Sequence, residues 1–216
     1  MNKYIKLFGI TGVAIFLILS LPRVYSLQKI KRHVTSNTYQ DWDIIFQSSN
    51  SRQCKAVKLA THSDISHCGM LFNENGDWFV LEAVEPVQVI PLFDFVRRGE
   101  GWQYTIKRMK TDQKLSETQK RNLHTLGDSL LGKHYDIYFG WTDDEMYCSE
   151  LVWKLYYQAA GIELCKTKKL RDFDLTSPFV VEMMKERYGN RIPYDEAVVA
   201  PSDIFFSDQL ELVESH

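Results

Sequence analysis

The sequence predicts an α+β fold in which an antiparallel sheet packs against helices, and three observations carry that prediction. Strands and helices are interleaved, but the apolar runs with strand character lie close together in the chain. Two of those runs flank Asn73-Glu74-Asn75-Gly76, a hairpin signal that demands antiparallel pairing. Two helices, by contrast, are marked by caps and by a one-sided apolar stripe.

In chain order, Asp41-Trp42-Asp43-Ile44-Ile45-Phe46 has the β-branched and aromatic content of a buried strand. The polar stretch Ser48–Ser66 reads as loop with room for a short helix. His67–Phe72 and Asp77–Val84 form the hairpin arms, Val87–Ile90 adds a short strand, and Pro91 opens a helical turn that runs to Arg98. Trp102–Arg108 alternates as the next strand. The first clear helix starts at Ser116, whose partner Gln119 completes a capping box, and carries Leu123, Leu126 and Leu130 on one face before stopping near Gly132. The second begins close to Cys148, aligns Leu151, Val152, Leu155, Tyr156 and Ala159 along one side, and ends at Gly161. Lys166–Arg171 reads as a solvated basic loop. Ser177-Pro178 opens a shorter helix to about Tyr188, and Asp203-Ile204-Phe205-Phe206 reads as a final strand.

Residues 1–26 differ in character from the rest. Lys3 and Lys6 precede a 15-residue apolar run, Leu7–Leu21, and Val24-Tyr25-Ser26 resembles a cleavage site, so the segment is expected to act as an export signal or an inner-membrane anchor. The run is short for a spanning helix, which needs ~20 apolar residues. Residues 27–216 fit one domain large enough to bury a core. Outside residues 1–26 there are 23 basic and 28 acidic residues, a net charge of −5 that argues against a nucleic-acid partner. A periplasmic or envelope location allows disulfides among Cys54, Cys68, Cys148 and Cys165, but their irregular spacing leaves the pairing open.

Cys148 is the most informative residue. It sits in Tyr147-Cys148-Ser149-Glu150-Leu151-Val152 at a helix entry, where free backbone N–H groups and the helix dipole favour the thiolate. The same amides can receive the oxyanion of a tetrahedral intermediate. Used only as a small buried hydrophobe, the same cysteine would need none of this. His67 lies on the first hairpin arm and Glu82 on the second. With a four-residue loop His67 faces Glu82 directly; with a two-residue Asn75-Gly76 turn it faces Val84 and Glu82 is its diagonal neighbour. Either register lets a carboxylate orient an imidazole and support its protonated form. Parity turns Cys68 to the opposite face, toward the core. Tyr147, Tyr135 and Asp136 are candidates to line the approach to Cys148, although a turn before the cysteine helix would use the same residues.

The ordered set Asp43-Ile44-Ile45-Phe46-Gln47, Ser66-His67-Cys68-Gly69-Met70, Leu81-Glu82-Ala83-Val84, Tyr135-Asp136, Tyr147-Cys148-Ser149-Glu150-Leu151-Val152 and Pro201-Ser202-Asp203-Ile204 resembles the permuted papain-like amidase family, the YaeF/YiiX group related to NlpC-type cysteine peptidases. The resemblance implies a circularly permuted papain-like fold in which the histidine strand precedes the cysteine helix. It implies a thiol-dependent amidase or peptidase that acts on a peptide, lipid-linked or cell-wall amide, with Cys148, His67 and Glu82 as its catalytic residues.

Other readings use the same residues. An amine or alcohol in place of water would make the machinery an acyltransferase. A fold that had lost turnover would serve as a peptide- or lipid-binding module. A zinc site from His62, His67, Cys68 and Cys148 uses acceptable ligand types, but neighbouring strand residues point apart. His62 and His134 read as surface residues, and Trp42, Trp78, Trp102, Trp141 and Trp153 as core or cleft wall. No Gly-rich phosphate loop or nucleotide fingerprint is present, so no cofactor is expected.

Overall fold

The computed structural model describes residues 38–216; the expectations for residues 1–26 and for the start of the domain at 27 lie outside them. The described unit, Thr38–His216, is built around a six-stranded sheet with every neighbouring pair antiparallel. The strands are β1 (Ile44–Gln47), β2 (His67–Glu74), β3 (Asp77–Glu82), β4 (Gln88–Pro91), β5 (Thr105–Met109) and a C-terminal strand, β8 (Leu210–Ser215). Their spatial order is β4-β3-β2-β1-β5-β8, which puts β2 and β1 at the centre. β6 (Lys168–Lys169) and β7 (Ala197–Val198) form a separate ribbon. The helices are α1 (Arg52–Thr61), α2 (Leu92–Arg98), α3 (Glu117–Leu130), α4 (Cys148–Ala160), α5 (Pro178–Tyr188) and α6 (Pro201–Phe205).

The hairpin takes the tighter of the two registers. Glu74 pairs with Asp77, leaving Asn75 and Gly76 as a two-residue turn, and both have positive φ, 54° and 93°. That backbone matches the right-handed twist of the flanking strands, and Asn-Gly is the dipeptide that adopts it most readily. The remaining pairs, through Met70 with Leu81, follow by alternation. One sheet face places Ile44, Phe46, Cys68, Met70 and Leu81 in a core with Leu123 of α3 and Leu151, Val152 and Leu155 of α4. α3 is capped as its sequence predicts: Ser116 Oγ accepts from Gln119 N–H at 3.3 Å, and Ser116 N–H donates to Gln119 Oε1 at 2.9 Å. Two bonds tie α4 to its neighbours. Tyr156 donates to the Trp42 carbonyl at 2.6 Å, and Gln119 Nε2 donates to the Ala160 carbonyl at 2.8 Å.

Five elements differ from the sequence expectation. The stretch read mainly as loop holds the ten-residue α1, capped by Ser51 Oγ on Cys54 N–H at 3.1 Å and ended by His62 in a left-handed conformation. Its apolar face is built from small residues such as Ala56 and Ala60, which give a weak periodic signal. Asp203–Phe206 is not a strand. Pro201 at the first helical turn and Asp203, whose Oδ2 accepts from Ala200 N–H at 3.0 Å, start the short helix α6, and capping overrides strand composition. The last strand comes later, at Leu210–Ser215, an edge strand with a charged and exposed outer face. α4 buries every residue from Cys148 to Tyr156 rather than one stripe, because it lies between the sheet core and the loop that leads into it. Within the basic loop, Lys168 and Lys169 pair with Val198 and Ala197.

Because Gly76 has positive φ, a β-branched residue there meets the left-handed penalty of ~1–2 kcal/mol. Gly76→Val is expected to lower unfolding stability by about that amount in urea titration. An unchanged midpoint would mean that the turn does not hold the hairpin register.

Candidate active site

The loop before α4 is held by buried charge. Lys154 donates to the Thr142 carbonyl at 2.8 Å and pairs with Asp143 and Glu150, each at 2.8 Å. Glu150, with no exposed side-chain surface, also accepts from Tyr147 N–H at 3.2 Å. The first intrahelical bond runs from Leu151 N–H to the Tyr147 carbonyl, so the amides of Cys148 and Ser149 precede the α4 hydrogen-bond ladder. Cys148 is therefore fixed at the positive end of a helix whose entry cannot shift without uncoupling these charges.

His67 opens β2, and its ring stacks on Phe95 of α2 with centroids 5.5 Å apart and planes at 22°. With the two-residue turn, His67 lies opposite Val84 and Glu82 on the diagonal. Gly69 makes that diagonal close: a Cβ at 69 would meet Val80 Cγ1 at 2.6 Å and the Leu81 carbonyl at 2.9 Å, and would touch Glu82 Cβ at 3.4 Å. The missing side chain leaves room for Glu82 to lean along the sheet to His67, where Oε2 meets Nε2 at 2.7 Å. Glu82 is wholly buried, and its other oxygen accepts from Gln88 Nε2 at 3.1 Å and Arg98 Nη2 at 2.5 Å. With Nε2 engaged, Nδ1 is the ring nitrogen left for the side-chain interaction between His67 and Cys148.

These contacts set the protonation states. Hydrogen bonding from the Cys68 thiol, opposed by burial and reinforced by His67 and by the Cys68 amide, holds the Cys148 thiol well below its ordinary range. Burial pulls the His67 imidazole down, but Cys148 and Glu82 outweigh it and push its pKa up to about 10. Burial opposes ionisation of Glu82, yet His67, Arg98 and Gln88 bring its pKa below the usual carboxylate range. These directions favour a thiolate beside an imidazolium, with the buried carboxylate on the other side of the ring.

Cys68 is a core residue with no exposed surface, as its parity implies, but it also touches Cys148. Sequence alone gave no sign of that contact. It gave no sign either of Phe95, Gln88 or Arg98, which come from α2 and β4 and surround the His67–Glu82 pair. Tyr135 interacts with Cys148 and lines the space around it, while Glu85 holds its amide at 2.9 Å. Tyr147 is buried, accepts from Val199 N–H at 3.2 Å and packs edge-on to Phe139. Asp136 braces the turn instead: its Oδ1 accepts from Tyr138 N–H at 2.7 Å, and it lines neither cavity beside Cys148 and His67. All four cysteines are free thiols.

Two cavities meet here. One, partly open to solvent, reaches Cys148, Tyr147 and Ser149; the other holds His67, Ser66 and Arg98. Gln53 and Tyr135 line both. The four suggested zinc ligands do not gather. His62 faces Asp174 at 2.9 Å on the surface, and among the described residues no group of three His, Cys, Asp or Glu side chains is placed to hold a metal ion.

Comparison with known proteins agrees with this fold. A family model described as permuted papain-like amidase enzyme, YaeF/YiiX, C92 family, matches residues 38–214. The uncharacterised protein YiiX of Escherichia coli (strain K12) is 46% identical over 174 residues, 81% of this chain and 85% of that protein. The crystal structure of YiiX from Escherichia coli O157:H7, described there as a metalloprotein, superposes with a TM-score of 0.79 at 45% identity and covers 83% of this chain and 98% of the other.

An isolated thiol near pKa 8.5 is only a few per cent ionised at pH 7. Alkylation of Cys148 by iodoacetamide is therefore expected to be fast and nearly flat from pH 7 to 9. His67→Ala should slow it at least ~30-fold at pH 7 and restore a steep rise with pH. Glu82→Gln should do the same to a smaller degree. Equal rates in wild type and His67→Ala would show that the imidazole does not govern the thiol. The ion pair also carries stability. The His67 share is complete below its unfolded pKa near 6.5 and is lost as pH rises through about 10. The Cys148 share is complete above its unfolded pKa and is lost as pH falls through its lowered one. Thermal melts of wild type minus Cys148→Ala across this range should show the largest difference between those limits.

Proposed function

Because the chain belongs to the permuted papain-like amidase family, we propose that it is a thiol-dependent amide hydrolase with Cys148 as nucleophile, His67 as general base and acid, and Glu82 as the carboxylate that orients His67. One observation carries this reading: His67 sits between the thiol at the α4 N-terminus and a fully buried carboxylate 2.7 Å from Nε2.

The thiolate attacks the substrate carbonyl, and the C–N bond of the tetrahedral intermediate breaks as imidazolium His67 gives its proton to the leaving amine. The amides at the start of α4 supply hydrogen bonds to the oxyanion without reorganisation. His67, now neutral, takes a proton from water as that water attacks the thioester, and keeps it as the C–S bond breaks and the thiolate departs from the acid, which restores the ion pair. Glu82 stays ionised throughout. Its role is to hold one tautomer and orientation of the ring and to stabilise the imidazolium. Arg98 and Gln88 occupy its second oxygen, so the carboxylate has one direction in which to act. The basic start and apolar run of residues 1–26 support export, and with it a substrate in the cell envelope.

The test is incubation of full-length enzyme and Cys148→Ala with bacterial envelope extracts under reducing conditions, followed by mass spectrometry. New free amines and carboxylic acids should appear only with the wild-type protein. Matching product profiles, with the thiol shown to be reduced, would remove the hydrolase reading.

A further inference from the structure

We propose that Cys68 is a resolving thiol for Cys148: hydrogen peroxide oxidises the Cys148 sulfur, and Cys68 then closes on it as a disulfide that a dithiol reductant reopens. This is a modification site, and it goes beyond the hydrolase reading because its chemistry needs no substrate carbonyl.

Two consecutive residues of β2 meet one sulfur. His67 presents its ring to Cys148, and Cys68 presents both its thiol and its backbone amide. Cys68 pairs across the sheet with Phe46 of β1, and α4, which begins at Cys148, packs over β2. Packing alone does not call for a thiol at this place. The surrounding cluster, with Phe46, Met70 and Leu151, is apolar, and a valine would serve it without an S–H group to accommodate. The other two cysteines are placed differently. Cys54 lies in the first turn of α1, where Ser49 Oγ donates to its sulfur at 3.2 Å. Cys165 lies beyond the end of α4, and burial pushes its thiol up to about 12, so it stays un-ionised.

Access sets the order of events. Cys148 is 5% exposed and borders a cavity partly open to solvent, whereas Cys68 is 0% exposed. Peroxide arriving from solvent therefore meets Cys148 first, and the thiolate is the form that attacks it. An S–O bond forms on Cys148 as the O–O bond breaks, and the departing hydroxide takes the His67 proton and leaves as water. The sulfur has given up two electrons, and the peroxide has gained them. The Cys68 sulfur then attacks Cys148. The S–S bond forms, the S–O bond breaks, and the Cys68 proton leaves with the hydroxide as a second water. Thiolate, imidazolium, thiol and one peroxide thus become a disulfide, a neutral imidazole and two waters. A sulfenic acid with no thiol beside it can go on to sulfinic and sulfonic acids, which a dithiol does not reverse. Cys68 intercepts that path, and Cys148 cannot act as a nucleophile while the bond persists.

The experiment treats full-length wild type, Cys68→Val and Cys68→Ser with a small excess of hydrogen peroxide, blocks the remaining thiols with iodoacetamide and reads unreduced tryptic peptides by mass spectrometry. In the wild type, the peptides that carry Cys68 and Cys148 should appear joined, lighter than their sum by two hydrogen atoms. Dithiothreitol should then return Cys148 to its alkylatable form. In both variants the joined peptide should be absent, and Cys148 should carry two or three added oxygen atoms. The share of alkylatable Cys148 that dithiothreitol recovers should fall at least ~tenfold. Serine and valine differ in polarity, so the same loss in both traces to the missing sulfur rather than to core packing. Recovery in the variants equal to that of wild type would overturn the proposal. The wild type decides the case even if neither variant folds: over-oxidised Cys148 without a joined peptide, or a bridge from Cys148 to Cys54 or Cys165, overturns it. Either of those results leaves the hydrolase reading in place. A reversible Cys68–Cys148 bridge in a protein that hydrolyses nothing supports the thiol pair and counts against the hydrolase.

Discussion

A carboxylate removed from water is costly unless its oxygens are occupied, and removing a single partner from such a buried charge is strongly destabilising. Glu82 has no exposed side-chain surface, and its two oxygens are taken by His67 on one side and by Gln88 and Arg98 on the other. Those partners come from β2, β4 and α2, so satisfying one charge fixes the mutual position of three elements. The orientation of His67 is a by-product of that requirement. Its ring is gripped from the front by the carboxylate and from the side by Phe95, and only the nitrogen toward Cys148 remains to act. Glycine at 69 belongs to the same constraint, because the approach that lets Glu82 reach His67 has no room for a methyl group.

Cys148 is placed by a second cluster of polar side chains. Glu150 and Lys154 are one helical turn apart on α4, and between them they hold Tyr147 N–H, the Thr142 carbonyl and Asp143. The two clusters anchor His67 and Cys148 to separate parts of the scaffold, the sheet for the imidazole and the helix for the thiol. Polar residues inside the domain are thus concentrated where geometry has to be held. Away from them the buried polar groups are fewer, Asp43 with Arg108 at 2.6 Å among them, and the interior between the sheet and α3 and α4 is packed with Leu, Ile, Val and aromatic side chains.

Much of this was legible in the sequence where a local rule acts alone. Ser116 with Gln119, Asn75-Gly76 and Pro178 each announce a cap or turn through chemistry confined to a few residues, and each forms as that chemistry requires. The diagonal of His67 and Glu82 was readable because strand parity carries a turn length across the hairpin. Reading failed where tertiary context decides. Asp203-Ile204-Phe205-Phe206 has strand composition, but Pro201 and Asp203 make it a helix. α1 has too weak a stripe to stand out, since small residues are what let it close over the cavity wall. Arg98 and Gln88 look like surface polar residues until the fold brings both to one buried oxygen. The contact of Cys68 with Cys148 lay hidden for the same reason: facing the core and facing the helix entry are here the same direction.

The order of these parts along the chain bears on synthesis. His67, Glu82, Gln88, Phe95 and Arg98 fall within one continuous stretch, whereas Cys148 follows some fifty residues after the last of them. A chain emerging from its N-terminus can assemble His67 with its carboxylate before Cys148 has been made. The pair of sulfur and imidazole then comes into being only when α4 docks, so a chain that ends before residue 148 lacks it.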